Sequence, residues 1–233
     1  MKTMERTGRT VGVLLLLHMA VGLVVPFVLL DRVRGAATFL ESAAASPDLV
    51  RAAVLLLFVG SAMAIAISIA ALPVFRRFSS GAALWLLALA VAGFCLQAVD
   101  NGALLSMLSL SEAYAKAGAA NADLFEALDL VVSSTRRWAH FTSLLVVGSW
   151  ILMLCSLLYR TRLVPRALAA FGVVGIVLQI TGVPLRALMG FVPDTRLAMP
   201  LAPAYVALAV WLMLKGFEER PSPERPAGQR ATP

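Results

Sequence analysis

The stretch LQAVDNGALL, residues 96–105, sets Gln97, Asp100, Asn101 and Leu104 at i, i+3, i+4 and i+7 inside a long apolar run. On a helix these four share one face. A carboxylate beside a histidine can pass a proton, and Asp100 with His140 is the acid–base pair this sequence offers. Arg186 is a counter-ion for Asp100, and Arg137 flanks His140 in sequence. His18, Gln97 and Gln179 lie deeper in apolar segments, where a polar side chain is a hydrogen-bonding group between helices or a relay. The same residues also suit a plain interfacial rim that meets water and headgroups.

What must position them follows from composition. The chain has 233 residues, of which 60% are hydrophobic and only 14% charged, with a mean hydropathy of +0.86. Soluble domains average nearer 45–50% apolar and roughly 25% charged. This is the composition of an all-α, polytopic membrane helix bundle. A net charge of +7 would point to nucleic acid in a soluble chain. Here it fits basic loops beside anionic lipid, so the expected partner is the bilayer and not nucleic acid. The two cysteines, Cys95 and Cys155, lie in no paired motif, and two histidines give no metal-site spacing. No metal and no cofactor is expected, and both cysteines read as apolar packing.

Six segments can span, near 11–30, 52–75, 82–108, 139–159, 167–188 and 197–217. The last is the weakest, because Pro200 and Pro203 interrupt its start. Together they make one domain, 1–217, of three outward-connected hairpins, followed by a Pro-rich charged tail, 218–233, that reads as disordered. The N-terminal segment is too long for the core of a signal peptide and reads as a retained first helix. One set of connections and tails holds 12 Lys and Arg, the other holds 8. The more basic set is expected in the cytoplasm, with both termini, in a bacterial inner membrane.

At 1.5 Å per helical residue, Asp100 stands about 27 Å and Arg186 about 28 Å from the inner face of a roughly 30 Å core. His140 begins the fourth span at that level. The sequence therefore gathers Asp100, Asn101, Arg137, His140 and Arg186 on one outer plane and predicts an Asp100–Arg186 ion pair. Gln97 and Gln179, about 22 and 18 Å up, are candidates for a hydrogen bond between the third and fifth helices. The small residues around Gly60 and Ala64 read as a packing face. Gly182 and Pro184 mark a weak point in the fifth helix. Within the long outer connection, Leu124, Phe125, Leu128 and Val132 predict a short amphipathic helix lying on the outer surface or capping the bundle. Ser46 and Pro47 read as N-cap and first turn of the second helix.

No catalytic motif is found: there is no GxSxG, HExxH, acid-cluster or phosphate-loop pattern, and no catalytic residue is assigned. The segments RTGRTVGVLLLLHMAVGL, ALPVFRR, LSLSEAYAKAGA, LVPRALAAFGVVG and ALAVWLMLKGF resemble the bacterial membrane family called domain of unknown function 4386, over about residues 6–217. The resemblance implies a six-helix membrane protein and brings no activity. The resemblance implies that many relatives carry an Arg with an acid or Gln in the third helix and a Glu before the final LAxWL. Here Gln97 has no such preceding Arg and Tyr205 stands in place of the Glu, so if those positions form a family site it is lost or altered in this chain.

Three readings follow. The first is a non-enzymatic bundle that binds a small amphiphile or a membrane partner through its polar outer face. The second is a small transporter, which a deep continuous cavity would favour. The third is an intramembrane lipid-modifying enzyme, which a lateral pocket with His140 and Asp100 in hydrogen-bond reach would favour. A solidly packed bundle would favour the first.

Overall fold

A computed structural model describes residues 2–34, 38–117 and 121–218. It contains six helices long and apolar enough to cross a membrane: α1 (Met4–Val33), α2 (Pro47–Phe75), α3 (Ser80–Ala117), α4 (Ala122–Thr161), α5 (Arg166–Leu188) and α6 (Thr195–Lys215). A helix satisfies its own backbone groups, which an apolar run in lipid requires. No strand occurs among the described residues. This is a multi-pass helical bundle of the kind the composition demands. The expected disordered tail lies outside the described residues, apart from Glu218.

The helices form a closed ring. Each packs mainly on its neighbours in sequence, and α6 returns to α1. The α1–α6 seam is made by backbone approach. A Cβ at Gly12 would lie 2.7 Å from the Met213 nitrogen and 2.8 Å from the Ala209 carbonyl oxygen. A Cβ at Gly8, one turn earlier, would collide with the backbone of Gly216 and Phe217. Gly8 and Gly12 are a small-xxx-small pair, the spacing that lets two membrane helices touch. The start of α1 thereby meets the end of α6, so both ends of the described chain lie at one end of the bundle. The α2–α3 turn lies there too, where the Arg77 guanidinium contacts the Met4 sulfur at 3.6 Å.

This terminal half is solidly filled. Leu15, Ile67, Phe75, Leu86, Trp150, Leu154, Leu208 and Leu212 are among its fully buried side chains, drawn from α1, α2, α3, α4 and α6. The opposite half is packed only around α1–α3, by Val25, Leu30, Val50, Val54, Leu104 and Leu108. A short helix, Phe39–Ser42, closes that corner. Its Glu41 carboxylate accepts from the Thr38 N–H at 3.0 Å and the Thr38 hydroxyl at 2.9 Å. The Ser111 hydroxyl of α3 donates to the Leu40 carbonyl at 2.7 Å. The packing face expected on α2 is present: a Cβ at Gly60 would sit 2.9 Å from the Val21 side chain, and Ala64 is buried.

Two expectations are corrected. The segment around Leu124 to Val132 is not a separate surface helix but the first turns of a 40-residue α4. Likewise α3 runs on for 38 residues. At about 1.5 Å per residue each is close to 60 Å long, roughly twice the thickness of a hydrocarbon core. They therefore project beyond the bundle, and Tyr114 meets Phe125 edge to face at 5.6 Å near their tips. Second, Ser46 occupies the N-cap position of α2 with Pro47 first in the helix, but its side chain makes no capping bond.

Prolines mark two π turns. One covers Val25–Leu29 in α1, with Pro26; the other covers Thr181–Leu185 in α5, with Pro184. Proline has no N–H for the carbonyl four residues back, and a π turn moves the donor one residue on. At the second, the Gly182 carbonyl also accepts from the Asp194 N–H at 2.8 Å. The weak point read at Gly182 and Pro184 is thus real, and the one at Pro26 is additional. The start of α6 is a 3-10 turn, Thr195–Ala198, followed by α-helix from Leu201.

Candidate functional site

The half of the bundle away from the termini encloses a cavity of about 900 Å³ to which all six helices contribute lining residues. Its walls are mostly apolar, and its polar lining includes His18, Gln97, Asp100, Arg136, Arg137, His140, Gln179 and Tyr205. Phe27 of α1 and Met199 of α6 line it while each is 70% exposed. The cavity therefore opens sideways where α1 and α6, held together at the terminal end, have separated. In a bilayer such an opening faces lipid.

Asp100 is the centre of the polar wall and is only 2% exposed. Its Oδ2 lies 3.1 Å from His140 Nδ1 and accepts from Gln97 Nε2 at 3.3 Å. Its Oδ1 makes no hydrogen bond among the described residues, and Arg136 Nε stands 3.8 Å from it. Gln97 Nε2 also donates to Asn101 Oδ1 at 3.0 Å, and Asn101 Nδ2 donates to the Val54 carbonyl at 3.3 Å. A continuous network thus runs from the α2 backbone through α3 to α4. It holds the carboxylate through Oδ2, and Arg136 lies near Oδ1, so the buried charge has partners. In the tautomer that donates from Nδ1 to Asp100, His140 keeps Nε2 as its basic nitrogen.

A second polar group lies deeper. The Tyr205 hydroxyl and His18 Nδ1 are 3.3 Å apart, and the His18 ring stands 5.4 Å from that of Trp150. Trp150 Nε1 donates to Ser68 Oγ at 2.9 Å, and Ser68 donates to the Ala64 carbonyl at 2.8 Å. Between the two groups, Gln179 Oε1 is buried against the cavity without a hydrogen-bond partner among the described residues.

A protein-family comparison matches the model described as Domain of unknown function (DUF4386) to residues 10–216. The chain belongs to the DUF4386 family. Comparison with curated proteins and with solved structures gives no match.

In this DUF4386 chain the sequence-derived plane is partly assembled. Asp100, Arg137 and His140 line the cavity, and Asp100 with His140 are in direct contact. Asn101 is buried but turned to α2, where it is a structural tie. The expected Asp100–Arg186 pair does not form. Arg186 Nε donates to the Val192 carbonyl at 2.8 Å, and its guanidinium lies 5.9 Å from the Phe191 ring. Equal depth on α3 and α5 does not give equal direction, and Arg186 faces outward. The cation at Asp100 is Arg136 instead. Hydropathy alone starts the fourth span at residue 139 and so leaves Arg136 outside it, whereas the helix starts at Ala122. On a helix that starts at Ala122, Arg136 and His140 are four residues apart and share a face. Gln97 and Gln179 do not meet; Gln97 is held within α3. Tyr205 faces the cavity beside His18. Cys95 and Cys155 are free thiols, the former exposed and the latter buried. No cluster of metal-ligating side chains occurs among the described residues.

Proposed function

We propose that this DUF4386 protein is a membrane-embedded binding protein for a small amphiphile, which enters the cavity laterally between α1 and α6. One observation carries the reading: a cavity of about 900 Å³ joins apolar walls to a few polar groups, the largest cluster around Asp100, and opens between exposed Phe27 and Met199. Ligand sites of this kind hold roughly 300–1,000 Å³ and are apolar with a few convergent polar groups. Solid packing, which would favour binding alone, is found in the terminal half, while this half has the pocket with Asp100 and His140 in reach that would favour an enzyme. A transporter would need a path through the other half as well, and the buried Leu15, Leu86, Leu154 and Leu212 fill it. That contrast supports binding over permeation. We further propose a bacterial inner membrane with both termini in the cytoplasm, supported by the 12-to-8 excess of basic residues, which would put the cavity in the outer half.

A second reading, an intramembrane lipid-modifying enzyme, draws on the 3.1 Å Asp100–His140 contact. An imidazole oriented by a carboxylate is a competent general base.

The test is to purify the full chain in a mild detergent and identify co-purified small molecules by native and extract mass spectrometry. Ala202→Trp and Leu144→Trp, both at cavity-lining positions, fill the space from two sides. A bound amphiphile lost in both variants, with the bundle still monodisperse, is expected. The same adduct retained in both sinks the reading. Conversion of the bound species by wild type, abolished in His140→Ala, would establish the enzyme instead.

A further inference from the structure

The charge on the cavity wall is not balanced. Among the lining residues Asp100 is the one acid, against Arg136 and Arg137. Asp100 is matched inside the wall, by Arg136 at 3.8 Å and His140 at 3.1 Å. That leaves Arg137 as surplus positive charge on the cavity lining. It is exposed, and no salt bridge joins it to an acid among the described residues. Beyond Arg137 and His140 the α4 wall is mainly apolar, with Phe141, Leu144, Val147 and Ile151 interrupted by Ser143 and Gly148. From Arg137 to Ile151 this path is about 21 Å long at 1.5 Å per residue. A guanidinium at one end of an apolar slot fits a carboxylate or phosphate monoester on a hydrocarbon tail. A cationic head would meet two arginines there. Partway along, the unpartnered Gln179 Oε1 offers an acceptor to a donor carried by the tail, such as a hydroxyl.

We infer that the cavity selects amphiphiles with an anionic head, held by Arg137 with the tail lying along α4 toward Ile151. This deepens the amphiphile reading and rests on it.

The test uses the full chain in nanodiscs of zwitterionic phosphatidylcholine, with empty discs as baseline. Four single-chain probes share a dodecyl tail: dodecyl phosphate, dodecanoate, dodecanol and dodecyltrimethylammonium. Affinities are read by native mass spectrometry and by thermal shift. The two anions should bind roughly tenfold or more tighter than the alcohol, the size of one charge-assisted contact. Dodecyltrimethylammonium should bind weakest. Arg137→Gln should bring the anions down to the level of dodecanol and leave dodecanol unchanged, whereas Arg137→Lys should retain most of the preference. Equal binding of all four heads, or a preference that survives Arg137→Gln, overturns the anionic assignment while the amphiphile site stands. Binding of none of the four overturns both. Inorganic phosphate binding as tightly as dodecyl phosphate would make it a head-only ion site and also overturn the proposal. Doping the disc with phosphatidate separates two sources of the same head. Displacement of dodecyl phosphate assigns the site to a bilayer lipid, and persistence assigns it to a single-chain amphiphile. Either result supports the anionic head.

Discussion

Asp100 on α3 and His140 on α4 meet across the helix interface, Oδ2 to Nδ1, at 3.1 Å. Arg136 comes from the same face of α4, one turn earlier, to the other carboxylate oxygen. The α3–α4 contact is thus tied by charge on the cavity side. Its arginine and carboxylate side chains are 15% and 3% exposed.

Removing Asp100 should therefore cost more than removing either partner. Breaking a dry buried pair costs roughly 3–5 kcal/mol. The adjoining cavity admits water, so Asp100→Ala is expected nearer about 1–3 kcal/mol. Thermal unfolding of the purified protein is the measurement. Arg136→Ala combined with Asp100→Ala should lose less than the sum of the two. Arg186→Ala should change little, since among the described residues its guanidinium meets the Val192 carbonyl and the Phe191 ring. Strict additivity of Asp100 and Arg136 would show that the 3.8 Å approach carries no coupling.

The α1–α6 seam predicts a sharp dependence on side-chain size. Gly12→Leu puts a side chain where even a Cβ would lie 2.7 Å from backbone. Overpacking of this kind costs about 1–3 kcal/mol or more, and here neither backbone can yield without opening the ring. Gly102→Ala is the matched control, because a Cβ there meets nothing within 4 Å. Monodisperse yield should collapse for Gly12→Leu and hold for Gly102→Ala. Equal yields would mean that the seam is not a close contact in the membrane.

How much of this was legible in the sequence depends on which physical signal carried it. The six helices were, because twenty consecutive apolar residues in lipid leave the backbone no alternative. Depth along each helix was legible too, and it placed Asp100 and His140 at one level. Direction around the helix was not, and that is why Arg186 was given a role that Arg136 holds. Hydropathy also fails where α4 leaves the apolar layer. Residues 122–138 are charged enough to end a span, yet no Gly or Pro lies between 122 and 147 to end a helix. The seam had a readable sign in Gly8 and Gly12. The lateral opening had none, since it depends on how α1 and α6 part beyond their contact.

Outside the membrane layer, Glu41 gives a pH prediction with a definite sign. The Thr38 N–H, and then its hydroxyl, hold the Glu41 carboxyl below its ordinary range. A depressed folded pKa stabilises the short helix Phe39–Ser42 above the unfolded carboxyl's pKa, and that gain is lost as pH falls through the lowered value. The carboxylate is exposed, so the effect is local. Amide exchange at Thr38 should accelerate, relative to its intrinsic rate, on acidification below the usual glutamate range. Glu41→Gln should remove that pH dependence. A Thr38 protection factor that is flat with pH in the wild type would rule the cap out.

The last prediction concerns orientation. The end of the bundle that holds both ends of the described chain also carries Arg76, Arg77, Arg160, Arg162 and Arg166, part of the 12-to-8 excess of basic residues. Such an excess beside short connections is retained in the cytoplasm. The cavity then lies in the outer leaflet, and Thr195, exposed and lining it, is reachable from outside. A membrane-impermeant maleimide separates the two faces. On a background with Cys95 and Cys155 replaced by Ala, Thr195→Cys should label in intact cells. Lys215→Cys, at the end of α6, should label only after lysis. Both substitutions sit at exposed positions, so neither should disturb packing. The reverse pattern would invert the protein in the membrane. The anionic ligand would then be drawn from the cytoplasmic leaflet, where anionic lipid is concentrated.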